Sequence, residues 1–180
     1  MAIADRSYYT MRYSRPEDGV TLTSLFFPFI YAGFVVQLGL ASEPELTEKW
    51  DTKIVDDPVV QSNLYSYISF ATSGANSRTS QIFINIADNP GLDGSGFSPF
   101  GRVVSGMKVV EQLYNPAPRS SSGLDQTTIR EQGNVWILDN YPETDIIALT
   151  EFNEGTSAAF AGRAAWMAPV AVVSLAVVWF

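Results

Sequence analysis

Two residue types that do much of the chemistry in proteins are missing from this sequence. None of its 180 residues is Cys and none is His. Without Cys there can be no disulfide, thiolate metal site or cysteine nucleophile. Without His, the commonest general base and metal ligand is lost. Any chemistry must therefore come from carboxylates, amides, hydroxyls, aromatic rings and guanidinium groups.

Carboxylates are concentrated in one stretch of the chain. They are Glu43, Glu45, Glu48, Asp51, Asp56 and Asp57. Oxygen-rich segments can hold Ca²⁺, but this order lacks the regular ligand spacing of a dedicated calcium loop. A solvated acidic face is the favoured interpretation, and no metal site is predicted. The glycine-rich residues 91–96 lie between predicted strands rather than at the start of a helix, which argues against a phosphate loop.

Residues 70–101 carry the most specific pattern, FATSGANSRTSQIFINIADNPGLDGSGFSPFG. This segment resembles the central signature of the cyclophilin-type peptidyl-prolyl isomerases. The matching pieces are Phe70-Ala71, the loop 74–78, the strand sequence 80–84, Leu92-Asp93-Gly94 and the strand sequence 100–103. Their order and spacing agree over more than thirty residues, far beyond the length of a chance motif.

The resemblance extends over roughly residues 4–152 and is strongest over residues 33–113. Residues 33–37, GFVVQ, are similar to a Gly-Phe-x-x-Gln strand of the isomerase groove, and residues 105–113 to the helix that follows the signature. The fold implied by the resemblance is mainly β: a cyclophilin-like antiparallel β-barrel, complete or lacking its first hairpin, with flanking helices.

The resemblance also implies a groove that holds a proline ring and the peptide around it. In the family, an aromatic floor and wall with an aliphatic side form the proline pocket, while amides and a backbone edge position the peptide. The corresponding residues are Phe34, Phe83, Leu92, Gln37, Gln81, Ala71 and Thr72. The family's Trp before the Leu-Asp-Gly turn is replaced by Gly91, and its pocket His falls near Gly96, Phe97 or Ser98.

The family's catalytic Arg has no counterpart. Its position falls at Phe29, or near Ser24 in a looser alignment, and no Arg or Lys occurs between Arg15 and Lys49. No catalytic residue is therefore assigned. The resemblance implies an isomerase of low or no activity, without a cofactor.

The elements that position these residues follow from β-branched and aromatic runs separated by Gly and Pro turns. Strands are predicted over residues 34–38, 64–71, 81–86 and 100–104. A helix is predicted from Ser105, as its N-cap, to Leu113. A second helix, over residues 125–140, would place Ile129 and Trp136 on one face, packed on the barrel.

The C-terminal residues differ in character from the rest. Residues 164–180, AAWMAPVAVVSLAVVWF, carry no charge, and as a helix they would span about 25 Å. The predicted organisation is a cyclophilin-like domain over 1–152, a linker over 153–163, and a transmembrane helix over 164–180 that could begin near residue 158. The alternative is a buried C-terminal helix or strand.

These features together define the expected function. The net charge is −8 and no basic run is present, which argues against nucleic-acid binding. The expectation is a catalytically degenerate accessory subunit of a membrane complex. It would contact other subunits and, through the C-terminal helix, lipid, with a thylakoid photosystem favoured over a mitochondrial respiratory complex by analogy. The alternative is a membrane-anchored peptidyl-prolyl isomerase of low activity.

Overall fold

The computed structural model of the protein describes residues 8–14, 25–26, 29–30, 33–118, 123–153 and 175–179. The strands are β1 (Tyr8–Ser14), β2 (Leu25–Phe26), β3 (Phe29–Ile30), β4 (Val35–Leu38), β5 (Tyr67–Phe70), β6 (Ile82–Asn85), β7 (Pro99–Ser105), β8 (Ile146–Asn153) and β9 (Leu175–Trp179). The helices are α1 (Pro44–Trp50), α2 (Met107–Val110) and α3 (Gln126–Asn140), with a 3-10 helix at Pro90–Ser95.

Within the described residues the strands form one nine-stranded sheet in the order β2-β8-β1-β9-β7-β5-β6-β4-β3, and all of these pairings are antiparallel. The two edge strands, β2 and β3, are separated along the chain by residues 27 and 28 alone. Such a connection reaches at most about 11 Å, whereas the edges of a flat nine-stranded sheet would lie about 38 Å apart. The sheet must therefore curl until its edges approach, as an antiparallel barrel does.

The core lies inside this curled sheet. Its buried residues are Val36, Leu38, Ile68, Ile84, Val103, Val110, Leu113 and Ile147. Side chains of a strand alternate between its two faces, so on β6 the core residue Ile84 and its neighbour Phe83 face opposite ways. The outward face of β6 and β4 is the one that carries the candidate site.

The strands expected over 34–38, 64–71, 81–86 and 100–104 are confirmed as β4, β5, β6 and β7, with altered ends. The largest difference is at β5, which begins at Tyr67 rather than Leu64. Ser66 has a positive φ of 73°. A non-glycine residue in that conformation interrupts an extended strand, so residues 64–66 form a turn.

The helix expected over 105–113 is shorter than predicted, and Ser105 is not its N-cap. Ser105 is the last residue of β7 and pairs with Ala176 of β9. Gly106, with a φ of 92°, takes the N-cap position, and the α-helix covers Met107–Val110. Glycine tolerates this left-handed conformation without steric cost. The helix is therefore capped one residue later than predicted, at Gly106 instead of Ser105.

The second helix is confirmed as α3, except that its backbone is non-helical at Gly133 (φ 59°, ψ −143°), where the helix is kinked. Asp125 is its N-cap and accepts hydrogen bonds from Thr127 N (3.0 Å) and Thr128 Oγ1 (2.7 Å). Ile129 is buried, and Trp136 packs against the same cluster. That cluster, completed by Leu40, Leu124 and Ile137, attaches α3 to the domain.

The helix predicted over 164–180 is wrong at residues 175–179, which form β9 between β1 and β7. Residues 164–174 and 180, and the predicted linker after Asn153, lie outside the described residues. The sequence LAVVW is as suitable for a buried strand as for a membrane helix, and two neighbouring strands supply its backbone hydrogen-bond partners. Within the described ranges no helix is long and apolar enough to cross a membrane.

Candidate functional site

A groove with a volume of about 740 Å³ opens on the outer face of β4 and β6. All seven residues that the resemblance assigned to a proline groove line it: Phe34, Gln37, Ala71, Thr72, Gln81, Phe83 and Leu92. They come from β4 and β6, the residue just before each of these strands, the loop after β5 and the 3-10 helix, so only the tertiary fold brings them together. The volume is in the usual range for a small-ligand or peptide site.

One end of the groove is aromatic. Phe83 is 4% exposed, and its ring meets that of Phe97 edge to face with centroids 5.5 Å apart. Leu92 adds an aliphatic wall, and Phe34, which is 39% exposed, stands at the rim. Of the three candidates for the family's His position, Phe97 is the one that lines the groove. This end offers an apolar pocket of the kind that accommodates a proline ring.

A buried polar network behind the aromatic end holds Phe97 and Leu92 in place. Asn63 is fully buried and its Nδ2 donates to both Asp93 Oδ1 (2.8 Å) and Phe97 O (2.7 Å). Asp93 also accepts from Ser62 Oγ (2.5 Å) and Asn63 N (2.9 Å). The Ser62 hydroxyl, with help from Asn63, holds the pKa of Asp93 below its ordinary value, against the opposing effect of burial.

The middle of the groove is a row of side-chain amides. Gln37 Nε2 donates to Gln81 Oε1 at 2.8 Å, and Gln81 Nε2 donates to Gln126 Oε1 at 3.2 Å. Gln126 belongs to the first turn of α3 and was not among the residues predicted to form the site. An amide can both donate and accept, so the row offers hydrogen bonds to an extended peptide backbone along its length.

The far end of the groove is charged and polar. Here Asp51, Lys53, Thr79 and Arg130 join the lining. Arg130 Nη1 lies 3.5 Å from Asp51 Oδ2, and both side chains are partly exposed. No local sequence signal marked these residues as part of a site, because α3 and the segment after α1 reach the groove only through long-range packing.

The acidic residues Asp56 and Asp57 have a structural partner. Arg78, 4% exposed, places Nε 3.0 Å from Asp56 Oδ1 and Nη1 3.1 Å from Asp57 Oδ2. Its guanidinium also lies over the Phe70 ring, 5.6 Å from the centroid, and donates to Val55 O. These contacts tie the segment after α1 to the loop that forms one rim of the groove.

Position 29, where the resemblance places the family's Arg, lies next to the amide row. Phe29 is paired with Gln37 in the β3–β4 ladder, and Gln37 with Phe83 in the β4–β6 ladder. Directly opposed residues share one face of a sheet, so position 29 belongs to the face that carries the groove. The residue there is Phe, and the cations among the described groove residues are Lys53 and Arg130 at the other end. Ser24, the alternative position, lies outside the described residues.

Comparison with known proteins agrees with this arrangement. Residues 18–134 match the family model described as cyclophilin type peptidyl-prolyl cis-trans isomerase/CLD. A peptidyl-prolyl cis-trans isomerase of Acinetobacter baylyi is 42% identical over 64 residues, covering 33% of this chain and 34% of that protein. The isomerase ppi1 of Schizosaccharomyces pombe is 33% identical over 115 residues, covering 60% and 68%. A peptidyl-prolyl cis-trans isomerase-like 1 of Rhizopus delemar is 34% identical over 118 residues, covering 62% and 61%.

The chain therefore belongs to the cyclophilin-type peptidyl-prolyl cis-trans isomerase family. It spans between 34% and 68% of the length of these three relatives.

Proposed function

We propose that this chain binds proline-containing peptide segments in its groove and isomerises them slowly or not at all. One observation carries the proposal. The aromatic pocket and the amide row are assembled in one groove, while the position assigned to the family's Arg is occupied by Phe29 on the same face. The described groove keeps groups suited to holding the peptide, and the position expected to carry the cation is Phe29.

Rotation about a peptide bond has a barrier of about 18–20 kcal/mol because the C–N bond has partial double-bond character. A protein lowers that barrier by holding the twisted amide more tightly than the planar one. An aromatic pocket and amides bind the ground state and the twisted state about equally. A guanidinium near the prolyl nitrogen would favour the twisted state, so its loss reduces turnover more than it reduces binding.

A binding experiment and a rate experiment together test this function. Short peptides with one X-Pro bond are titrated into the full chain and followed by NMR, with the same peptides carrying Ala in place of Pro as controls. We expect the proline peptides to bind more tightly, with cis–trans exchange close to the uncatalysed rate. Rapid exchange in the unmodified protein would contradict the degenerate-enzyme proposal, and equal affinity for the Ala peptides would contradict the groove itself.

We further propose, from the sequence, that the chain serves a membrane complex as an accessory subunit with a structural or assembly role. A photosynthetic membrane is favoured over a mitochondrial one by analogy. The support is the uncharged run over residues 164–180. Strand β9 counts against a helix through residues 175–179, so attachment would then depend on contacts with other subunits.

Fractionation of the native source tests this second role. An accessory subunit should sediment with membranes and, after mild detergent treatment, migrate with a large complex. Recovery of the chain as a free monomer before any detergent is added would contradict it. Resistance to alkaline carbonate would indicate a membrane span, whereas release by carbonate would indicate peripheral attachment.

A further inference from the structure

We propose that the charged end of the groove, formed by Arg130, Gln126 and Lys53, binds a carboxylate of the peptide. The preferred ligands would then be proline segments that carry an Asp or Glu near the proline. This inference rests on the proposed peptide-binding function and specifies its ligand class. It concerns the part of the groove that α3 and the segment after α1 contribute.

Arg130 is placed to accept such a ligand. Its side chain is 33% exposed on the groove wall, and its ion pair with Asp51 is a single long contact of 3.5 Å. A guanidinium has five N–H donors in a planar fork that matches a carboxylate with two parallel hydrogen bonds. The long contact to Asp51, which is itself 47% exposed, leaves most of these donors available to a second carboxylate.

The local charge favours an anionic group even though the whole chain is acidic. The charged residues that line the groove in the described part of the chain are Lys53, Arg130 and Asp51, with a sum of +1. The net charge of the chain is −8, but exposed charges farther away than about 8 Å are largely screened at physiological salt. Asp125 and Glu131 lie beside Gln126 and Arg130 in the chain but do not line the groove, so it is the charge of the lining itself that favours a bound carboxylate.

Helix α3 is anchored to the rest of the domain at this end of the groove. Asp125 caps the helix one residue before Gln126, and Ile129 is buried one residue before Arg130. Asn134 N donates to Ser42 O at 2.9 Å. Gly133 has a φ of 59°, and a Cβ at that position would collide with Ser42 O. Glycine permits both this non-helical backbone and the close approach to Ser42, and the contact anchors the part of α3 that carries Gln126 and Arg130.

The amide row connects the two ends of the groove. Gln37 lies beside Phe83 in the ladder, Gln81 follows, and Gln126 ends the row one helical turn from Arg130. Residues i and i+4 of a helix lie on the same face. A peptide with its proline against Phe83 can therefore extend along the row and bring an acidic side chain to Arg130.

The test uses the full chain and synthetic peptides with one proline. Glu is placed two residues before or two residues after the proline, and Gln replaces Glu in the two reference peptides. We expect at least one Glu peptide to bind roughly two- to fivefold more tightly than its Gln counterpart, the scale of a partly exposed ion pair. The preference should decrease at high salt because both Arg130 and Asp51 are partly exposed.

Three variants locate the preference. Arg130→Gln should lose the preference for Glu peptides over Gln peptides. Arg102→Gln makes the same change in net charge at an exposed position outside the groove, and it should retain the preference. Asp51→Asn removes the carboxylate that competes for Arg130, so it should increase the preference for Glu peptides. Equal binding of Glu and Gln peptides, or a preference that survives in Arg130→Gln, would overturn the inference while the groove itself stands. If none of the proline peptides binds, the proposed function fails together with it.

Discussion

Phe29 and Gln37 are directly opposed in the β3–β4 ladder, and this pairing places an apolar residue where the family resemblance calls for an arginine. Gln37 is in turn opposed to Phe83. One row across three strands therefore contains the position of the missing cation, a peptide-positioning amide and the wall of the aromatic pocket. A single substitution at position 29 can therefore test whether an Arg at that place acts on a peptide in the groove.

Phe29→Arg should increase isomerase activity. A guanidinium at this register position would lie on the groove face beside Gln37 and could stabilise the twisted amide. We expect a rate increase on the order of 10²-fold, the scale of one well-placed donor in other enzymes. The measurement is cis–trans exchange of a proline peptide by NMR. Val104→Arg, which adds the same charge at an exposed position on β7 outside the groove, should change nothing, and an equal gain there would contradict the assignment.

Phe97→Ala should weaken the binding of proline peptides by roughly tenfold. The substitution removes apolar area and the edge-to-face contact with Phe83, a contact worth about 0.5–1.5 kcal/mol beyond area alone. Affinity is measured by NMR titration with the fold checked by circular dichroism. Trp50→Ala removes a larger ring that is 61% exposed and does not line the groove. A comparable loss of affinity in that variant would argue against a pocket centred on Phe97.

Asp93→Asn should destabilise the protein at neutral pH and flatten its loss of stability in acid. The folded state lowers the pKa of Asp93 from 3.8, first through the Ser62 hydroxyl. The carboxylate therefore contributes stability above pH 3.8, and this contribution is lost as the pH falls through the lower folded-state pKa. At pH 6 the variant should lose about 2 kcal/mol of unfolding free energy.

Urea unfolding between pH 2 and pH 7 measures this effect. The difference between Asp93→Asn and the unmodified chain should shrink steadily below pH 4. Asp139→Asn, at an exposed position near the end of α3, serves as the control and should follow the unmodified curve. A difference for Asp93→Asn that stays constant over the whole range would show that its charge state is irrelevant.

Gly133→Ala should separate α3 from the segment before α1. At this φ an added Cβ is strained and meets Ser42 O, so a loss of about 2 kcal/mol or more in unfolding free energy is expected. Gly91→Ala provides a matched control, because no atom lies within 4 Å of a Cβ there. Thermal or urea unfolding gives the comparison. Equal stability of the two variants would contradict the proposed close approach of α3.

Much of the groove could be predicted from sequence because its residues belong to short, contiguous patterns. The family resemblance assigned these residues from those patterns. For Gln81 and Phe83 the alternation of a strand agrees, because residues two apart lie on one face. Phe34 and Gln37 are three apart, and Phe34 reaches the groove from the residues just before β4. Helix α3 was likewise predicted from a local pattern, the spacing that places Ile129 and Trp136 on one face.

Other features depended on contacts between distant parts of the chain. Residues 175–179 have a composition that suits a membrane helix or a buried strand. They form a strand because β1 and β7 pair with them on either side. Ser105 carries a good N-cap side chain, yet its pairing with Ala176 keeps it in β7.

The charged end of the groove also depends on contacts between distant parts of the chain. Gln126 and Arg130 carry no motif, and they reach Gln81 and Asp51 because Gly133 lets α3 pack closely against Ser42. The sequence alone determined which strands form and which faces they present, because backbone geometry sets both locally. Tertiary packing decided which distant segment fills each remaining position, because those contacts are selected by the burial and hydrogen bonding of the whole domain.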